Sequence, residues 1–235
     1  MKMKTSVLVG LAAACLVLAA LPASAETLRE KVLGMVRAAD VEADAAAARI
    51  EQAAVTATEY AQMPFAPAGI QETVELSGQS PVFAFPEGKA RYAALEIPKL
   101  RVGSQLAMTQ VDLGGAEVRG WRATVRPILI LLDADFREVV RWAPETFEYD
   151  HSAMRHEGHK AVKRVDQDMV RAKYAVLLAD PRAVGERHAM FLNPAAYPYM
   201  YESDRHFDLP FAHEGAVLLN FRAQVGFQQR RRMGR

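Results

Sequence analysis

The chain has almost no cysteine: Cys15 is the only one, and it lies in the first apolar stretch. If that stretch is cut away, the rest has neither a disulfide nor a thiol, so thiolate metal sites and cysteine nucleophiles are excluded. Long apolar runs are equally scarce. Val7 to Leu21 is one, and it falls short of the roughly 20 residues that span a bilayer as a helix. Excess charge is missing as well: 29 basic residues stand against 28 acidic ones, a balance that argues against a general nucleic-acid binder. No Gly-x-Ser-x-Gly elbow and no glycine-rich phosphate loop occurs, so hydrolase and nucleotide chemistry lack their usual backbone devices.

The first 25 residues read as an export signal. Lys2 and Lys4 supply a positive start, Val7 to Leu21 the apolar segment, and Pro22-Ala23-Ser24-Ala25 the small-x-small ending that a signal peptidase needs. Cleavage is expected after Ala25, which would place the remainder in the periplasm with no transmembrane anchor. A retained anchor conflicts with the short run. A lipid on Cys15 would leave the apolar Leu16 to Leu21 at the head of the mature chain.

Residues 26–63 read as an alanine-rich helical arm. Thr27 and Glu30 form a capping box, and Leu28, Val32, Met35, Ala39, Ala46, Ile50, Ala53 and Ala57 recur at helical spacing up to about Ala61. Pro64 and Pro67 stop the pattern. Alanine buries little apolar surface, so the arm is expected to pack lightly on the body or to stay mobile. A self-associating coiled coil is the alternative, opposed by Glu42 within the stripe and by the small side chains.

From residue 69 to 226 the period is two. Strands are expected at Glu72 to Leu76, Pro81 to Phe85, Arg91 to Ile97, Gln105 to Leu113, Ile128 to Leu132, Phe136 to Trp142, about 160 to 166, Tyr174 to Ala179 and Ala216 to Ala223. Turns fall at Pro86-Glu87-Gly88, Gly114-Gly115, Asp133-Ala134-Asp135 and Asp166-Gln167-Asp168. Short strands at this spacing predict a mainly β fold, a β-sandwich or jelly-roll-like domain preceded by the long N-terminal helix. Residues 227–235 form a basic tail. Its Arg230, Arg231 and Arg232 suit peripheral contact with anionic lipid or an acidic partner.

Three groups of side chains invite a chemical reading. His151, His156 and His159, with Asp150 and Glu157, carry imidazoles that metals favour. Their spacing misses the His-Glu-x-x-His motif, and Gly158 breaks it, so a solvated loop is the first expectation and no metal is assigned. Asp133 and Asp135 are two carboxylates beside a turn, where solvating that turn fits better than acid catalysis. Trp121, Trp142, Tyr197, Tyr199 and Tyr201 are the rings able to stack on a sugar; the three tyrosines alternate in a proline-stiffened stretch. The same rings also suit closing an open end of the fold. No catalytic residue and no cofactor is expected.

Gln79-Ser80-Pro81-Val82-Phe83-Ala84-Phe85 and Gly88 to Pro98 resemble the opening of the maltose-operon periplasmic protein family. Ile128 to Phe136 with its Leu-Asp-x-x-Phe ending, Lys173 to Ala179, and Asp208-Leu209-Pro210 extend the resemblance over roughly two thirds of the chain. It implies a periplasmic, non-enzymatic accessory protein associated with carbohydrate uptake of the maltose or maltodextrin type, contacting glycans or transport proteins. The other expectation is an envelope structural or interaction protein with no small-molecule ligand.

Overall fold

The structure is a computed structural model that describes residues 28–110, 124–149, 159–191 and 206–223. The export segment with Ala25, Trp121, His151, His156, Tyr197, Tyr199, Tyr201 and the arginine tail lie outside the described residues. Among the described residues the fold is mainly β, with several sheets and one α-helix.

Helix α1 (Leu28–Gln52) and a 3-10 turn at Tyr60–Gln62 precede β1 (Ala66–Pro67), β2 (Gln71–Leu76), β3 (Val82–Phe85), β4 (Gly88–Glu96) and β5 (Gln105–Gln110). Then come β6 (Pro127–Leu132), β7 (Glu138–Trp142), β8 (Glu148–Tyr149) and β9 (His159–Arg164). A second 3-10 turn at Met169–Arg171 leads into β10 (Tyr174–Ala179), β11 (Arg187–Phe191), β12 (His206–Pro210) and β13 (Gly215–Ala223). One sheet runs β1-β4-β10-β6-β7, with β3 also paired to β4. A second runs β2-β13-β5-β9-β8, and β11 with β12 forms a two-stranded ribbon.

Strand β6 explains the architecture. All six of its residues are buried, because both of its faces are covered. Leu129 and Leu131 join Leu106 and Met108 of β5 and Val217, Leu219 and Phe221 of β13 in a core between the two larger sheets. Ile128, Ile130 and Leu132 point the other way, into a second core with Phe83, Phe85, Tyr92 and Met63. Strands β4 and β10 split in the same way, with Leu95 and Leu177 in the first core and Tyr92 and Val176 in the second. An unbroken apolar run of strand length is what a strand covered on both faces requires.

The covering layer departs from the expected chain path. The helix expected to continue to about Ala61 stops at Gln52. Beyond it the Thr56 N–H and hydroxyl both donate to the Val82 carbonyl, at 2.8 and 3.0 Å. The β-branched pair Val55-Thr56 also disfavours a further helical turn. Ala57, expected on the helix stripe, is instead buried in the second core. Tyr60 stacks on Phe83 with ring centroids 5.7 Å apart, and its hydroxyl accepts from Arg141 at 3.1 Å. Arg141 grips Glu87 with two bonds of 2.8 and 2.9 Å and also binds Glu138. One guanidinium thus joins β7, the β3–β4 turn and the covering segment.

Two turns differ in detail from expectation. Phe136, expected to open the strand ending at Trp142, sits in the turn with φ of 59°, and β7 starts two residues later. Asp133 bends the chain there by accepting the N–H groups of Asp135 and Arg137, both at 2.9 Å. Phe136 holds its unusual backbone while stacking on Tyr174 at 4.7 Å. Gly88 closes the β3–β4 turn at φ of 134°, and a Cβ there would lie 3.2 Å from Pro181. The described strands also outnumber those expected, because β1, β8 and the β11–β12 ribbon carry no clear alternation.

The alanine stripe of α1 serves close approach. Ala43, Ala46 and Ile50 are buried, Asp40 bonds Arg187 at 2.7 Å, and Arg49 bonds Glu214 at 2.9 Å. Among the described residues no helix is long and apolar enough to cross a membrane.

Truncating the shared centre is the direct test of this layering. Leu129→Ala, at a fully buried site, is expected to cost about 2–5 kcal/mol in urea unfolding. Val162→Thr, on the exposed side of β9, should stay within about 0.5 kcal/mol of wild type.

Candidate functional site

A cavity of about 290 Å³ opens where strand ends from both sheets meet the ribbon, lined by Gln110, Arg126, Glu145, Phe147, His159, His188 and Phe211. Each side chain is placed by a specific element. Gln110 ends β5 on the face that carries Leu106 and Met108, so the alternation delivers a polar group into the interior. Its amide donates to the Val125 carbonyl at 2.9 Å. Arg126 stands just before β6. It reaches Glu186 at 3.4 Å, and its carbonyl accepts the Asp180 N–H at 2.7 Å. Glu145 and Phe147 come from the link between β7 and β8, and Phe147 also packs against the first core.

His159 opens β9 and meets His188 of β11 edge to face, with centroids 5.4 Å apart. His188 stacks on Phe211 at 4.9 Å and 10°. Phe211 is anchored by its own N–H to the Glu186 carbonyl at 2.8 Å, and its carbonyl accepts from Gly185 at 3.0 Å. A bridge between Thr124 and Phe211 ties the ribbon to the segment that feeds β6. The lining therefore combines aromatic faces with amide, guanidinium, carboxylate and imidazole groups. Such a mixture positions polar ligands through convergent hydrogen bonds and flat apolar contact.

Asp180 shapes the wall behind Arg126. It is 5% exposed and binds Arg182 through two side-chain bonds of 2.9 and 2.8 Å, plus the Arg182 N–H at 3.1 Å. Burial alone would raise its carboxyl, but the bonds to Arg182 outweigh that and hold it below the ordinary carboxylate value.

Only part of the expected site is among the described residues. Of the three clustered histidines, His159 lines the cavity; its nearest imidazole there is His188, which the sequence reading did not single out. Trp142 ends β7 opposite Leu129 and packs half-buried on the first core. Among the described residues no three His, Cys, Asp or Glu side chains gather to hold a metal ion. Gln110, Arg126, Glu145, Phe147, His188 and Phe211 went unnoticed in the sequence. Gln110 alone carried a local signal, as a polar residue continuing the Leu106-Met108 face.

The fold and this cavity define the chain as a mainly β protein with a small, mixed polar and aromatic pocket at the strand ends. No family model, no curated protein and no solved structure matches it.

The lowered Asp180 carboxyl sets a pH dependence. Its stabilisation is complete above the unfolded carboxylate value and disappears as pH falls through the folded one. Asp180→Asn is expected to cost about 1–3 kcal/mol near neutral pH. In unfolding curves the gap to wild type should begin to close below about pH 4, where the wild-type carboxyl takes up its proton in the unfolded chain.

Proposed function

We propose that the chain is a periplasmic, non-enzymatic accessory protein of carbohydrate uptake, of the maltose or maltodextrin type, holding a small sugar in the cavity beside His159 and His188. In this reading residues 1–25 are removed after Ala25, and the two larger sheets form a β-sandwich preceded by a helical arm. The resemblance of Gln79 to Pro98, Ile128 to Phe136 and Lys173 to Ala179 to the maltose-operon periplasmic protein family supports the assignment.

The observation that carries the ligand is the cavity lining. A pyranose offers one C–H face and a rim of hydroxyls. Phe147 and Phe211 supply apolar ring surface, while Gln110, Arg126, Glu145 and His159 supply donors and acceptors. Its volume lies at the small end of ligand sites, which run about 300–1,000 Å³. That size favours one or two sugar rings over a long chain.

Calorimetry with glucose, maltose and maltotriose tests the ligand. Binding is expected for wild type, weakened about tenfold, or 1.4 kcal/mol, by Glu145→Ala. Tyr199→Ala should leave it unchanged if the cavity, and not the tyrosine segment, is the site. No heat at millimolar sugar would sink the carbohydrate reading and leave the envelope interaction role. Intact mass of protein from a periplasmic extract is expected to start at Glu26; a cytosolic product keeping Met1 would overturn the placement.

A further inference from the structure

Residues 212 to 214 lie where α1 meets the body. Ala212 packs on Ala43. Glu214 accepts from Arg49 of α1 at 2.9 Å with one carboxylate oxygen and from Arg91 of β4 at 3.1 Å with the other. Arg91 is 4% exposed and also donates to the Ser80 carbonyl at 2.9 Å. A single carboxylate therefore fastens the helix to β4 and to the start of β13. Lys89 adds a bond of 3.0 Å to the Glu51 carbonyl in the last helical turn, where the helix dipole favours a cation.

Between those contacts sits His213. It is 6% exposed, and its Nδ1 has no hydrogen-bond partner among the described residues. A neutral ring bears that arrangement at the cost of one unmet hydrogen bond. An imidazolium would carry two N–H donors and a full charge in the same buried place. We propose that His213 is an acid-operated release for α1: a proton on its ring undocks the Asp40–Gln52 half of the helix from the body.

The groups facing His213 are Glu51 from α1, Arg91 from β4 and its neighbour Glu214. Burial is the largest influence and pushes the ring below its ordinary value; Glu51 and Glu214 pull upward, and Arg91 pushes down. Arg49 and Lys89, the other cations at the junction, are engaged by Glu214 and by the Glu51 carbonyl. The sign follows from that direction. Docking is fully stable above the ordinary imidazole range and weakens as pH falls through it, because the undocked, hydrated ring binds the proton more tightly.

Hydrogen exchange on the full chain, corrected for intrinsic rates, reads the helix directly. Protection of amides in residues 43–52 is expected to fall about tenfold or more between about pH 7.5 and pH 5, while β6 and β10 keep theirs. His213→Gln, which carries no titrating ring, should hold the helix protection level across that range. Constant wild-type protection, or a fall that persists in His213→Gln, would overturn the proposal. If that variant does not fold, NMR titration of wild type decides: the His213 ring and the 43–52 amides must share one midpoint, and separate midpoints refute the coupling.

Discussion

Everything else in the molecule is arranged around a strand that has no solvent side. Strand β6 sends Leu129 and Leu131 into the core between the larger sheets and Ile128, Ile130 and Leu132 into the core under the covering layer. Such a strand must be apolar at every position, and each face must be roofed by something. The second sheet roofs one, while β3 and the segment around Met63 roof the other. A two-faced apolar strand has one weakness: a slip of one residue exchanges leucines for isoleucines without exposing anything polar, so hydrophobic patterning barely fixes its register. The ends supply what the pattern lacks. Asp133 clamps the turn after β6 through two backbone N–H groups, and the Asp180 N–H bonds the Arg126 carbonyl just before it.

The cavity follows from the same arrangement. At the end of β5 the apolar face that serves the core continues into Gln110, and next to β6 it gives way to Arg126. The β11–β12 ribbon, tied there through Thr124 and Phe211, brings His188 against His159. Interior packing therefore stops where polar groups from five separate chain segments converge, and the space between them stays open.

Charges hold the outer pieces to this frame. Arg141 joins the covering layer to β7 and the β3–β4 turn, and Arg91 with Glu214 joins β4 to the start of β13, where Glu214 also takes Arg49 of α1. Neither pair is close in sequence, and both are at least half withdrawn from water. Removing one partner of a buried pair costs far more than the pair contributes in net stability. Such links set where segments dock more than how strongly the domain folds. His213, seated inside one of them, makes that docking responsive to protons.

What the sequence determined by itself was local. Alternation marked β2 through β5 and β13, and the apolar runs Ile128 to Leu132 and Tyr174 to Ala179 marked strands, because periodicity and turn chemistry act over a few residues. Asp133 and Gly88 were legible as turn residues for the same reason. The helix end at Gln52, the left-handed backbone of Phe136 and the unpatterned β11–β12 ribbon were decided by tertiary bonds: Thr56 to Val82, Phe136 against Tyr174, Phe211 to Glu186. The site belongs to this second group. His159 was visible as a histidine among others, but its contact with His188 and its place in one lining with Glu145 and Arg126 join positions scattered along the chain. Proximity between such positions arises only when the sheets close.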